Sequence, residues 1–330
     1  MHILLANTGT IPVSLYGGTE RVIWCLGKEL VRLGHQVTYL VEQGSSCPFA
    51  SVVFLDTSKG IAGQIPDNVD IAHFHFVPPD LEELTKPYVV TMHGNRNDQA
   101  ALDRNTIFIS RNHAKRFGSE VFVHNGLDWD EYMRPDFSTT KRYFHFLGKA
   151  AWRVKNVQGA IDVIKRTKRE RLKVLGGVRF NFNMGLRLTF SPRVAFYGMV
   201  GGREKFQLLN DSKGLIFPIR WHEPFGLAII ESLYFGCPVF GTPYGSLPEI
   251  VTDAVGHLSN KGAVLAEAIG HSETYSRSVC HEYARDLFSA KKMAAGYVER
   301  YERVLSGAFL NTVKPRLQAV QHEKFLPWTP

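Results

Sequence analysis

The feature that most constrains this chain is a pattern that occurs twice: short continuous apolar runs alternating with stretches of helical periodicity. His2 to Asn7 is one such run, of the kind that fills a parallel strand covered on both faces. A glycine-bearing turn, Tyr16-Gly17-Gly18-Thr19, leads into Glu20 to Leu33, where Val22, Ile23, Leu26, Leu30 and Leu33 fall on one helical face. Gly34 stands where a helix C-terminus favours glycine, and Gln36 to Glu42 reads as the next strand. Further strands are predicted at Val69 to His75, Tyr88 to His93, Thr106 to Ser110 and Val121 to His124.

After the polar, proline-bearing segment Met133 to Thr140 the pattern restarts. Strands are predicted at Tyr143 to Leu147, Leu172 to Leu175, Val194 to Tyr197, Gly214 to Pro218 and Pro238 to Thr242. A helix of about Gly226 to Phe235 ends at Gly236 and Pro238, and Glu282 to Leu305 reads as one continuous helix. Strands alternating with helices imply parallel sheets with right-handed crossovers. The predicted fold class is therefore α/β, with two facing Rossmann-like domains. The domains expected are 1–137 and 138–310, followed by an arm, 311–330, that packs back on another domain. Ligands of such sheets bind beyond the C-terminal strand ends, so an inter-domain cleft is the expected site.

Composition narrows the class further. At 330 residues the chain exceeds one typical core, and 44% hydrophobic with 21% charged residues excludes wholesale disorder. No apolar run approaches the roughly 18 residues of a membrane span, and the run at His2 to Asn7 is too short for a signal-peptide core. Cys25, Cys47, Cys237 and Cys280 are widely spaced without a CxxC pair, which suits reduced thiols and a cytoplasmic setting. The net charge of +8 conceals an asymmetry. Residues 1–137 carry 11 Lys+Arg and 16 Asp+Glu, whereas residues 138–330 carry 28 and 15. A basic half implies an anionic partner. The densest cluster, Lys165, Arg166, Lys168, Arg169 and Arg171, reads as a solvated helix end, with peripheral contact to anionic lipid at the inner membrane face as the alternative. Nucleic acid is not expected, since no aromatic-interleaved basic stripe accompanies the charge.

The most specific segment runs from His222 to Val239. Glu223 lies in a loop after a strand, Gly226 allows close backbone approach, and a helix N-terminus then offers free N–H groups to an anionic or hydroxyl-rich ligand. Glu231 follows eight residues after Glu223, on the helix itself, so the two carboxylates can serve separate parts of one ligand. With Gly241-Thr242-Pro243-Tyr244-Gly245-Ser246-Leu247-Pro248-Glu249-Ile250-Val251 behind it, this pattern closely resembles the family 4 glycosyltransferases, retaining enzymes of the GT-B fold. Other segments fit the same family in order. Gly17 and Gly18 look like its N-terminal loop that approaches the donor diphosphate, and His93, in Thr91-Met92-His93-Gly94, sits where the family carries a histidine near the sugar and acceptor. Lys149 and Lys155 are similar to its basic pair on the diphosphate, with Arg153 as a helper. Lys149 stands where many members have Arg, and lysine lacks the bidentate fork.

The resemblance implies metal-independent transfer of a hexosyl group from a nucleotide-diphosphate sugar, UDP-sugar favoured over GDP-sugar, to an acceptor hydroxyl. The nucleotide sugar is a substrate, and no cofactor is expected. Glu223 and His93 are the implied catalytic residues. Phe225, Gly226 and Leu227 would hold the donor sugar, Glu231 the ribose, and Met199 and Val200 the base. Retention without a protein nucleophile implies a front-face path. The acceptor is expected to be a sugar, a glycolipid or a small molecule, with surface polysaccharide synthesis the family's commonest setting. The acidic first half argues against membrane docking through the N-terminal domain, and the short region from Val178 to Pro192 reads as a trimmed loop. Alternatives are a GT-B nucleotide-sugar epimerase and a non-catalytic nucleotide-sugar-binding module. Asp128-Trp129-Asp130 mimics a metal-binding DxD, but it follows Val123-His124-Asn125-Gly126-Leu127, which resembles the family's closing segment of the first domain. His73 and His75 share one strand face without a readable third metal ligand, and a core or rim role is expected for them.

Overall fold

The structure, a computed structural model, describes residues 1–13, 17–181 and 187–330. Tyr16 of the predicted glycine turn and the centre of the 178–192 region lie outside the described residues. The chain divides into two compact units. Unit 1 comprises 1–13, 17–129 and 288–321, and unit 2 contains 130–287 and 322–330.

Unit 1 is built from β1 (His2–Ala6), α1 (Gly18–Arg32), β2 (Gln36–Val41), β3 (Ser51–Phe54), β4 (Ile71–Phe74), β5 (Tyr88–Met92), β6 (Thr106–Phe108) and α2 (Arg111–Arg116). Its strands form one parallel sheet in the order β3-β2-β1-β4-β5-β6. All five residues of β1 are buried, as its unbroken apolar sequence requires of a central strand with both faces covered. Leu4, Ala6, Leu40, Ala72, Phe74 and Val90 form one core face with Ile61, Ile65 and Val69. A fully buried Leu, Ile or Phe stabilises by roughly 1.5–3 kcal/mol, so this face fixes the register.

Unit 2 repeats the plan. It contains β7 (Tyr143–Leu147), α3 (Val157–Arg166), β8 (Leu172–Leu175), the short antiparallel pair β9 (Phe180–Asn181) and β10 (Arg187–Leu188), β11 (Val194–Phe196), α4 (Gly202–Asn210) and β12 (Ser212–Phe217). It continues through α5 (Leu227–Tyr234), β13 (Val239–Gly241), α6 (Leu247–Ile250), β14 (Gly256–Leu258), α7 (Gly262–Ile269) and α8 (Arg277–Leu287). The parallel sheet runs β11-β8-β7-β12-β13-β14. Setting the β9-β10 pair aside, both sheets follow one order, third-second-first-fourth-fifth-sixth, which is the doubly wound arrangement. Phe144, Phe146, Val174, Ile216 and Phe240 pack here with Ile161 and Ile164 of α3 and Leu265 and Ile269 of α7.

Three expectations are corrected. The predicted boundary at 137 falls instead at 129/130, and the chain re-enters unit 1 at Phe288, with α9 (Ala290–Leu305) and the segment to Gln321 belonging there. The predicted arm is thus divided, and only 322–330 belongs to unit 2, where Leu326 N–H donates to Arg220 O and Gly262 N–H to Thr329 O. The predicted continuous helix from Glu282 to Leu305 is two helices. Leu127 N–H donates to Phe288 O and Ala290 N–H to Leu127 O, so the backbone at 288–290 pairs with another segment, and Ser289 then caps α9. Only glycine fits at 126, because a Cβ there would collide with Ser289 O.

The charge reading changes with the boundary. Unit 1 carries 16 Lys+Arg and 15 Asp+Glu, because α9 and the segment after it return Lys291, Lys292, Arg300, Arg303, Lys314 and Arg316 to it. The acidic first half is an effect of cutting the chain at 137. The folded unit is close to neutral, and unit 2 holds the basic excess. No helix among the described residues is long and apolar enough to cross a membrane.

Candidate active site

In a doubly wound sheet the strand order reverses between the first and fourth strands, and the crevice beyond their C-terminal ends is the natural ligand site. In unit 2 these strands are β7 and β12. Gly148 and Lys149 follow β7, and the loop carrying Glu223 follows β12. The two loops are tied together. Asn156 caps α3 by accepting from Gly159 N–H at 3.0 Å and donates through Nδ2 to Pro218 O at 2.8 Å, while Arg220 N–H donates to Val154 O at 2.7 Å.

Within this frame Lys155 and Glu223 meet. Lys155 Nζ donates to Glu223 Oε2 at 2.5 Å, and Trp221 Nε1 donates to the same oxygen at 2.9 Å. The ammonium also lies 4.9 Å from the Trp221 ring centroid and 5.3 Å from that of Phe217. Both ionic side chains are buried. Burying two charges is tolerable only when they are paired and hydrogen-bonded, so this pair is held by its surroundings. The Gly241 to Val251 segment supplies part of that support. Ser246 N–H donates to Glu223 O and Ser246 Oγ to Phe225 O, and Gly245, at φ 63°, lies so close to Glu223 that a Cβ would collide with its backbone. Phe225 is buried, Gly226 turns the chain at φ 90°, and Leu227 begins α5.

Glu231, one turn into α5, belongs to a second buried ion pair. Its Oε1 accepts from Lys205 Nζ at 2.5 Å and from Tyr132 OH at 2.7 Å. Lys205 lies in the first turn of α4, and its N–H donates to Gly201 O, so the segment carrying Met199 and Val200 connects directly to the lysine that holds Glu231. Val200 is buried and Met199 exposed. Lys149 is exposed, with Nζ 5.5 Å from the Trp152 ring centroid, and the Arg153 guanidinium lies over Phe325.

Unit 1 places glycines after β1 and histidines after β4 and β5. Gly17 and Gly18 precede and begin α1, and the histidines are His75 and His93 respectively. His75 Nδ1 and His93 Nε2 lie 2.8 Å apart. Behind them His73 is fully buried, bonded through Nδ1 to Tyr301 OH at 2.6 Å and through Nε2 to Thr91 Oγ1 at 2.7 Å. Burial pushes His73 and His75 far below the ordinary imidazole value, with like-charge repulsion among the rings adding to it, and burial lowers His93 to about 4. All three rings are therefore neutral at pH 7. No group of three or more His, Cys, Asp or Glu among the described residues is placed to hold a metal ion. Asp128 of the DxD-like segment instead bonds Lys28 at 2.8 Å and Arg32 at 3.2 Å. Burial raises the Cys237 thiol to about 11 and Cys280 to about 12, which leaves neither suited to nucleophilic attack.

The structure thus brings together Lys155, Glu223, Phe225, Gly226 and Leu227 in one loop cluster, with Glu231 and Val200 joined through Lys205. Sequence reasoning missed Trp221, Lys205, Tyr132 and His75 as partners of these residues. Trp221 carried a local signal, standing two residues before Glu223. The others become visible only when distant segments meet.

Two sheets of this order in one chain are the GT-B architecture of glycosyltransferases. The chain superposes with a TM-score of 0.74 on the crystal structure of AviGT4, a glycosyltransferase involved in avilamycin A biosynthesis. That match has 22% identity over 93% of this chain and 98% of that one. Sucrose-phosphate synthase of Thermosynechococcus elongatus matches with a TM-score of 0.72 at 16% identity, covering 93% of this chain and 100% of that one. HepE of Anabaena, in complex with UDP-glucose, matches with a TM-score of 0.64 at 15% identity, covering 93% and 100%. In sequence, residues 130–281 match the family model described as glycosyl transferases group 1, and this range contains Lys149, Lys155, Glu223 and Glu231. An uncharacterized 41.2 kDa protein in the cps region of Klebsiella pneumoniae is 32% identical over 116 residues. That alignment spans about a third of each protein, 33% of this chain and 32% of the other.

Proposed function

We propose that this chain is a retaining glycosyltransferase that moves a hexosyl group from a nucleoside-diphosphate sugar to an acceptor hydroxyl. The observation that carries the reading is the meeting of Lys155, Trp221 and Glu223 beside the β7/β12 switch point, ahead of the α5 N-terminus, inside the segment that matches the group 1 model. Lys149, Lys155, the Gly17-Gly18 backbone and the helix N-terminus supply positive charge to the departing diphosphate, and this set needs no divalent ion to balance it. Glu223 and the Phe225-Gly226-Leu227 backbone take the donor-sugar hydroxyls, Glu231 takes the ribose hydroxyls, and Met199 and Val200 flank the base. His93 contacts the donor sugar. UDP-sugar is the favoured donor, a choice supported by HepE, whose complex contains UDP-glucose.

In the proposed step the bond from the anomeric carbon to the phosphate oxygen breaks. The bond from the anomeric carbon to the acceptor oxygen forms on the same face, and the acceptor proton passes to the leaving phosphate oxygen. No covalent glycosyl-enzyme forms. AviGT4, a glycosyltransferase involved in avilamycin A biosynthesis, supports a role in assembling a glycan or glycoside, with a sugar, a glycolipid or a small molecule as acceptor. For a glycolipid, the basic cluster from Lys165 to Arg171 is the surface proposed to meet the membrane.

The test is a metal-free transfer assay with UDP- and GDP-sugars over a panel of acceptors, with product configuration read by NMR. A product that keeps the donor's anomeric configuration is expected. An inverted product would contradict the mechanism, and a changed sugar nucleotide formed without acceptor would make the protein an epimerase.

A further inference from the structure

His73 and His75 on β4 lie beside Thr91 and His93 on β5, giving two cross-strand contacts of the same geometry: His73 to Thr91 at 2.7 Å and His75 to His93 at 2.8 Å. The first can be assigned proton by proton. Thr91 Oγ1 donates to Tyr297 OH at 3.1 Å, so it accepts from His73 Nε2–H, and His73 Nδ1 then accepts from Tyr301 OH. The His73 ring is held on both sides, and the His75 ring lies against it at 4.1 Å between centroids, tilted by 34°.

The second contact contains one proton, because two neutral imidazoles can share only one. If His93 supplied it, the proton of His75 would sit on Nε2, which is buried and has no hydrogen-bond partner among the described residues. A buried N–H without an acceptor is rarer in folded proteins than a buried acceptor without a donor. The geometry therefore points to His75 Nδ1–H donating into His93 Nε2. His93 must then carry its own proton on Nδ1, the nitrogen outside this bond, on a ring that is only half-buried.

We propose that His75 is a positioning residue that locks His93 in the Nδ1–H tautomer, so that His93 meets its ligand as a hydrogen-bond donor and not as a base. The functional half of this inference rests on His93 being a donor-sugar contact. It fits a reaction in which the acceptor proton goes to the leaving phosphate oxygen, because a bare His93 nitrogen is then not required.

The test is long-range 1H–15N correlation NMR of the imidazoles in the full chain labelled with 15N-histidine, assigned with His93→Gln. The expected pattern for His93 is a protonated Nδ1 and a bare Nε2. In His75→Phe the ring volume stays but the donor is lost, and the lock on His93 should be released. In His75→Asn the side-chain amide nitrogen replaces Nδ1, and the wild-type pattern should persist. Transfer should fall about tenfold in kcat/KM for His75→Phe and stay within about threefold of wild type for His75→Asn, as expected for one lost hydrogen bond. A wild-type His93 protonated on Nε2, or a His93 pattern unmoved by His75→Phe, would overturn the lock. The expected pattern with no change of transfer in either His75 variant would overturn the positioning role. The NMR result needs no activity, so it separates this inference from the glycosyltransferase reading itself.

Discussion

The two units share one strand order and furnish the loops and helices after its strands in different ways. Unit 2 sets buried ion pairs there, Lys155 with Glu223 and Lys205 with Glu231. Unit 1 sets neutral imidazoles, His75 and His93, backed by His73, Thr91 and two tyrosines. The difference is chemical. An ion pair fixes opposite charges at a strand end, whereas hydrogen-bonded neutral rings fix the direction of a donor or acceptor without net charge. One topology thus carries two kinds of polar cluster, and the loops after its strands decide which.

The contrast can be broken at its strongest point first. Lys205→Met leaves Glu231 buried without its cation and is expected to destabilise the protein by about 3–5 kcal/mol, the usual effect of removing one member of a buried pair. Adding Glu231→Gln should recover most of that stability without restoring nucleotide binding, and denaturant unfolding of the three variants measures it. Acid should act on both units through buried imidazoles, His93 and His113 in unit 1 and His145 in unit 2. Folded His93 titrates at about 4, and His113 and His145, both buried, at about 3, against 6.5 in the unfolded chain. Below pH 6.5 the unfolded chain binds protons that these folded imidazoles refuse, so stability falls as pH falls. The loss approaches 1.4 kcal/mol per pH unit for each fully buried ring. Melting curves from pH 7.5 to 4.5 test this, and a His145→Asn variant should show a shallower acid slope. Next, Ser289 accepts from Lys292 N–H at the start of α9, and Ser289→Ala should cost about 1 kcal/mol, the usual worth of such a cap. The smallest effect is expected at exposed Lys149, where Lys149→Ala should change stability by less than ~0.5 kcal/mol while still weakening diphosphate binding.

Most of the architecture was legible because buried parallel strands leave continuous apolar runs. The strands β1, β7 and β8 stand close to their predicted limits. β3 escaped because Ser51–Phe54 is an edge strand with exposed ends, and β14 because three residues carry no period. Val121 to His124 reads as a strand but makes only an isolated bridge through Phe122 to Phe108. The break at Phe288-Ser289 and the return of α9 to unit 1 were hidden for one reason: both depend on Leu127, more than 150 residues earlier. In the candidate site, Gly226 and the helix behind it were legible as a turn into α5. The pairing of Lys155 with Glu223 did not announce itself, since 67 residues separate them and only the order of β7 and β12 brings them together.

The most direct test of the account is a thermal shift with UDP, in EDTA, on the wild-type chain and on Lys155→Met carrying Glu223→Gln, a pair of changes that removes this ion pair without stranding either partner. UDP at about 100 times its dissociation constant should stabilise the wild type by roughly 2.7 kcal/mol, a shift of several degrees, and the double variant by far less. Equal shifts in the two proteins, or none in the wild type with any nucleoside diphosphate, would contradict the assignment of this loop cluster as a nucleotide-sugar site.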